Sequence, residues 1–153
     1  MILIAYDGSD DARHAVEHAA QLWPGKQATV LSVWEPFAEV ISHASTGFVA
    51  GMADYDEIDA ASEKLAGDRS REGAELATTK GLDATPRERA QATTTAEAIL
   101  AEAAEIGAEA IVVGPRGLGD VKSLLLGSVS HALVHHTTVP VLIVPPASRN
   151  ADS

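Results

Sequence analysis

The chain alternates short apolar runs with longer stretches in which apolar residues recur at helical spacing. "ILIAY" (Ile2–Tyr6) is a continuous apolar run of strand length, the pattern of a strand buried on both faces. In "DGSDDARHAVEHAAQLW", Ser9 can cap a helix and Asp10 and Asp11 suit its positive end. Ala12, Ala15, Val16, Ala19 and Leu22 fall on one face of that helix. "PGK" punctuates, and "ATVLSVW" (Ala28–Trp34) predicts a second strand. Residues 37–56 form a long connection of weak periodicity, and a polar-faced helix runs from about Ile58 to Thr79. "TPRERAQA" alternates charges with smaller residues, which suits an exposed edge strand. "TTAEAILAEAAEIG" predicts a Thr-capped helix with Ile99, Leu100, Ala103 and Ile106 inward. "AEAIVVG", "SVSHALVHH" and "PVLIVP" complete the series as strand, helix and strand.

Strict alternation of strand and helix implies a parallel sheet with helices on both faces. With the charged third strand at an edge, the winding gives one α/β domain over residues 1–146. It is an open five-stranded Rossmann-like sheet in the order 3-2-1-4-5, followed by a tail, 147–153, expected to be flexible. The winding reverses between strands 1 and 4, and ligands of open α/β sheets bind beyond the carboxyl ends at such a point. The residues just past those ends are Asp7-Gly8-Ser9 and Gly114-Pro115-Arg116-Gly117.

Composition narrows the chemistry. The 153 residues hold 46% hydrophobic side chains but only 4% aromatic ones, so Ala, Val, Leu and Ile must fill the core. The absence of cysteine removes thiol nucleophiles, disulfides and cysteine-held metals. A formal net charge of −11, with only 11 Lys and Arg, argues against a nucleic-acid or anionic-membrane surface. The opening "MILIAYDGSD" lacks a basic start and breaks at Asp7, and no apolar stretch reaches membrane-spanning length, so a cytoplasmic location is expected.

The densest signal is "VVGPRGLGDVKSLLLGSVSHA", with Gly114, Gly117, Gly119 and Gly127 beside Arg116, Ser128 and Ser130. Glycines admit close approach of a ligand to the backbone, and a helix start offers unpaired N–H groups to a phosphate. The P-loop fingerprint is absent, because Gly25-Lys26 continues with Gln27; the dinucleotide fingerprint fails at Lys122. Locally, a phosphate seat and a glycine-rich turn with a serine cap both fit.

The spacing present is G-x2-G-x9-G-[ST], formed by Gly114, Gly117, Gly127 and Ser128. Together with "ILIAYDGS", "LSVWEP" and "HTTVPVLIVP" it resembles the universal stress protein family over nearly the whole chain. The resemblance implies an ATP- or AMP-binding α/β domain, often dimeric, linked to stress survival. It implies a base near Asp7 and Val33, with Ala5 and Tyr6 along the nucleoside and Val113 and Gly114 flanking the ribose. Arg116, Gly117, Gly127, Ser128, Val129 and Ser130 would surround the phosphates of ATP, AMP or ADP. It further implies a homodimer through the last strand, Val139 to Val144. The expected role is a nucleotide-dependent switch or sensor; a slow ATPase and an interaction module with a vestigial pocket are the alternatives.

Other features are open to two readings. Asp7 could contact Mg2+ or the base, or simply cap the turn with Gly8 and Ser9. His14/His18 and His131/His135 have the i, i+4 spacing of a helical metal pair, without a third ligand nearby in sequence. No G-x-S-x-G elbow is present, and no base for catalysis can be named. The 37–56 connection leaves from the same end as the glycine-rich loop, where a cover over the ligand would sit.

Overall fold

The computed structural model describes residues 1–43, 54–118 and 126–146. Its elements run β1 (Ile2–Ala5), α1 (Asp10–Leu22), β2 (Gln27–Trp34), α2 (Phe37–His43), α3 (Tyr55–Thr79), β3 (Asp83–Ala90), α4 (Thr95–Glu105), β4 (Ile111–Val113), α5 (Ser128–His136) and β5 (Val141–Ile143). The strands form one parallel sheet in the order β3-β2-β1-β4-β5, as the sequence predicts. Gly119 and the tail 147–153 lie outside the described residues, as do 44–53 of the expected cover.

Alternation along the strands divides the core in two. Ile2, Ile4, Tyr6, Val30 and Val112 face α1 and α3, while Leu3, Leu31, Ile111 and Val113 face α4 and α5. Both faces of the central strands are therefore dry, which is why β1 and β4 are apolar without interruption and why β2 buries even its Thr29 and Ser32. With few aromatic residues, close approach of backbones supplies the packing. Ala12, Ala15 and Ala19 are buried along α1, and Gly73 of α3 lies against the Tyr6 ring. A Cβ at Gly73 would come within 2.8 Å of both that ring and Val30 Cγ1.

Capping follows the sequence signals. Ser9 Oγ accepts from Ala12 N at 3.1 Å, and Thr94 Oγ1 accepts from Glu97 N at 3.2 Å. At the β3 edge, Arg89 Nη1 lies 2.6 Å from Glu102 Oε2 and Arg87 Nε lies 3.0 Å from Oε1. These arginines explain how α4 keeps a carboxylate that is only 1% exposed.

Three expectations need correction. Leu22 is 56% exposed, because Ala20 and Trp23 take the inward arc where α1 ends. The 37–56 segment opens with a helix, α2. Its Phe37 N–H donates to Asp59 Oδ1 at 2.7 Å and its Phe37 ring packs on Tyr55. Helix α3 starts at Tyr55 rather than near Ile58, since Asp54 caps it through Asp56 N. No helix among the described residues is long and apolar enough to cross a membrane.

Candidate functional site

Two loops meet beyond the carboxyl ends of β1 and β4. The first turns sharply at Gly8, where φ is +82°, a conformation that favours glycine. Asp7 sets the turn, its Oδ1 accepting from Ser9 N at 2.9 Å. Its other oxygen, Oδ2, accepts from Leu118 N at 3.1 Å. One carboxylate thus ties the β1 turn to the β4 loop. Of the roles open to Asp7, the turn-capping one is present, and it has a partner across the crevice that sequence reading did not supply.

The glycines have specific neighbours. A Cβ at Gly117 would sit 2.7 Å from Asp7 Oδ2, so Gly117 makes room for the tie itself. A Cβ at Gly114 would meet Asp11 main-chain atoms at 3.1 Å, so Gly114 lets α1 press on the loop. Neither has a positive φ; the need at both is space. Gly127 caps α5 without a side chain, at φ −75°, and its N–H donates to Pro115 O at 2.6 Å. Ser130 Oγ donates to Gly114 O at 2.7 Å, a buried bond that fixes the loop to α5.

Between these pieces lies a crevice of about 240 Å³. Ala5, Tyr6, Asp7, Val33, Val113, Gly114, Arg116, Gly117, Ser128, Val129 and Ser130 all line it. Gly127, buried behind the loop, is the one position implied by the family resemblance that does not. Ala12, Leu31, Thr95 and Ile99 also line it and were not foreseen. The predicted topology held the signal for two of them. Thr95 opens α4 just after β3, so the first turn of that helix must lie at the carboxyl end of the sheet. One wall is apolar, from Ala5, Leu31, Val33, Ile99 and Val113; the other carries Asp7, Arg116, Gly117 and Ser128.

Tyr6 borders this space, but its ring lies on the opposite face of the sheet. Its hydroxyl donates to Glu72 Oε1 at 2.7 Å, and Arg13 donates to the same oxygen from Nη2 at 2.7 Å. Burial, then the Glu72 carboxylate, pushes the phenol up to about 12. The Arg13 guanidinium, followed by the Tyr6 hydroxyl, holds Glu72 below the usual carboxylate range. Arg116 Nε lies 3.3 Å from Asp11 Oδ2.

The histidine pairs do come together, with ring centroids 4.5 Å apart in each. Among the described residues, no group of three or more His, Cys, Asp or Glu is placed to hold a metal ion.

The universal stress protein family model matches residues 1–145. The chain is 37% identical over 147 residues to the universal stress protein YxiE of Bacillus subtilis (strain 168), covering 94% of this chain and 97% of that relative. A universal stress protein solved in complex with cAMP superposes with a TM-score of 0.65 at 25% identity, over 95% of this chain and 97% of the other. The protein MJ0577 superposes with a TM-score of 0.75 at 19% identity, over 97% and 96%, and shares the fold. The match along the whole sheet, and the identity to a curated relative over almost its full length, establish that this chain belongs to the universal stress protein family.

Proposed function

We propose that the crevice binds an adenine nucleotide, ATP or AMP, and that the protein works as a nucleotide-dependent switch or sensor in a stress response. The observation that carries this reading is the convergence of the Asp7 turn, the Gly114–Gly117 loop and the first turn of α5 on one crevice. In this reading the base lies on the apolar wall near Val33, and the phosphate meets Gly117, Ser128 and the N-terminal N–H groups of α5. The N-cap residue, Gly127, gives that helix start no side-chain hydrogen bond, a start at which an incoming oxyanion can accept the N–H groups. The cAMP complex of a 25% identical relative supports the ligand class.

Asp7 already accepts two backbone N–H groups, and among the described residues no group of three or more His, Cys, Asp or Glu is placed to hold a metal ion, so a Mg2+ ion arriving with the nucleotide would be carried mainly by its phosphates. Mass spectrometry of ligand released from the purified protein, with calorimetry using ATP and AMP, tests the proposal. An adenine nucleotide recovered or bound supports it. An empty protein that binds neither would leave an interaction module with a vestigial pocket.

We further propose a homodimer through the last strand, within Val139 to Val144. Among the described residues β5 pairs only with β4; its Val141, Leu142 and Ile143 are partly exposed, and Val134 of α5 is 50% exposed. Pairing of two such edges around a two-fold axis covers the same residues on each copy. Light scattering at micromolar concentration should give the dimer mass; a monomer mass would refute it.

A further inference from the structure

The charged side chains lining the crevice, among the described residues, are Asp7 and Arg116. Arg116 is not presented alone: its Nε lies 3.3 Å from Asp11 Oδ2, with the side chains only 19% and 17% exposed. Asp11 is held there from two directions. It stands in the first turn of α1, whose start Ser9 caps, and its main chain abuts Gly114 closely enough that a single added carbon would crowd it. Of the neighbouring cations, Arg13 reaches Asp10 and Glu72, while Arg69 runs along Gly8 beside the turn and does not line the crevice. Among the described side chains that line the crevice, an anion therefore meets one guanidinium paired with Asp11, and a second carboxylate at Asp7.

We infer that Asp11 is a charge-selecting residue of this crevice, favouring adenine nucleotides with a single phosphate over a metal-free triphosphate. This rests on the nucleotide reading above and names the ligand class within it. The start of α5 and the loop can satisfy one phosphate through backbone N–H groups. Each further charge on the ligand is repelled by Asp7 and Asp11 in a half-buried setting, where screening by salt is weak. A cyclic phosphodiester, with one charge, meets the least repulsion; AMP meets more and ATP the most.

The test is calorimetry with adenosine, cAMP, AMP and ATP, without divalent cations, on the wild-type protein and on Asp11→Asn. Asp11→Ser serves as a second variant that keeps a small polar group in the first turn of α1. The wild type should bind cAMP and AMP more tightly than ATP. Both variants should tighten ATP about tenfold, the scale of removing one unit charge from a partly screened site. They should leave adenosine unchanged and cAMP within about threefold. Added Mg2+, carried by the phosphates, should rescue ATP binding more in the wild type than in the variants. Unchanged ATP affinity in well-folded variants, or a wild type that prefers metal-free ATP to AMP, overturns charge selection alone. Failure of all four ligands to bind, adenosine included, overturns the nucleotide reading and this inference with it.

Discussion

Gly67 and Gly73 are both buried glycines in α3, and the same substitution should act on them with opposite sign. In a helix interior Ala is favoured over Gly by about 1 kcal/mol, so Gly→Ala stabilises where a methyl group has space. At Gly67 it does: the nearest atoms to a new Cβ are the Arg71 guanidinium nitrogens, at 3.4 and 3.7 Å, on a flexible side chain. Gly67→Ala should therefore gain about 0.5–1 kcal/mol. At Gly73 the new Cβ would stand 2.8 Å from Tyr6 Cγ and Cδ1 and from Val30 Cγ1, well inside contact distance. Neither neighbour can turn aside. Tyr6 is 2% exposed and bonded to Glu72, and Val30 is in the centre of β2. Overpacking of this kind costs about 1–3 kcal/mol, so after the gain in helix propensity Gly73→Ala should lose about 1 kcal/mol net. Urea unfolding at one protein concentration, with the denaturant slope checked for constancy, measures both. A Gly73→Ala protein as stable as Gly67→Ala would refute the claim that α3 sits on the sheet through a bare backbone.

Three other outcomes follow from the same geometry. Gly117→Ala should push Asp7 Oδ2 off Leu118 N and cost about 1–2 kcal/mol of loop order, read as about 5–30-fold weaker nucleotide binding in calorimetry. Its unfolding free energy should fall by no more than that same amount, about 1–2 kcal/mol, which leaves the variant folded; equal affinity would contradict the proposed role of the loop. Arg89→Ala should destabilise by about 2–3 kcal/mol because it strips a partner from buried Glu102, while Glu102→Leu should stay within about 1 kcal/mol because the arginines can turn to water. Urea unfolding with the reverse order would contradict the desolvation argument. The Tyr6 phenol is pushed from 10.0 up to about 12, so between those values the unfolded chain sheds this proton while the folded one keeps it. Stability should therefore fall across that window as pH rises, and Tyr6→Phe should flatten the fall; identical pH profiles for the two proteins would contradict it.

The inner strands were legible because β1 and β4 are buried on both faces and leave an uninterrupted apolar signal, as in "ILIAY" and "AIVV". Charge on β3 was enough to place it at an edge, and from that the strand order and the position of the crevice followed. What sequence could not convey depends on contacts between distant segments. Helix α2 is only seven residues long, too short for a periodic signal, and it is anchored by Asp59 and Tyr55 across the chain. The glycine spacing pointed to the correct loop but not to the reasons for it, because the neighbours of Gly114 and Gly117 are Asp11 and Asp7, more than a hundred positions away. Thr95 and Ile99 carry no motif and reach the crevice only because α4 begins at the right end of the sheet.

The bridge from Asp7 to Leu118 also constrains how this protein can change over time. While that carboxylate is in place, any bulk at Gly117 collides with it. A lineage that first shortened or lost Asp7 would release the restriction, and position 117 could then drift to larger residues. The two sites are thus expected to be replaced in a fixed order, with the aspartate the first to go.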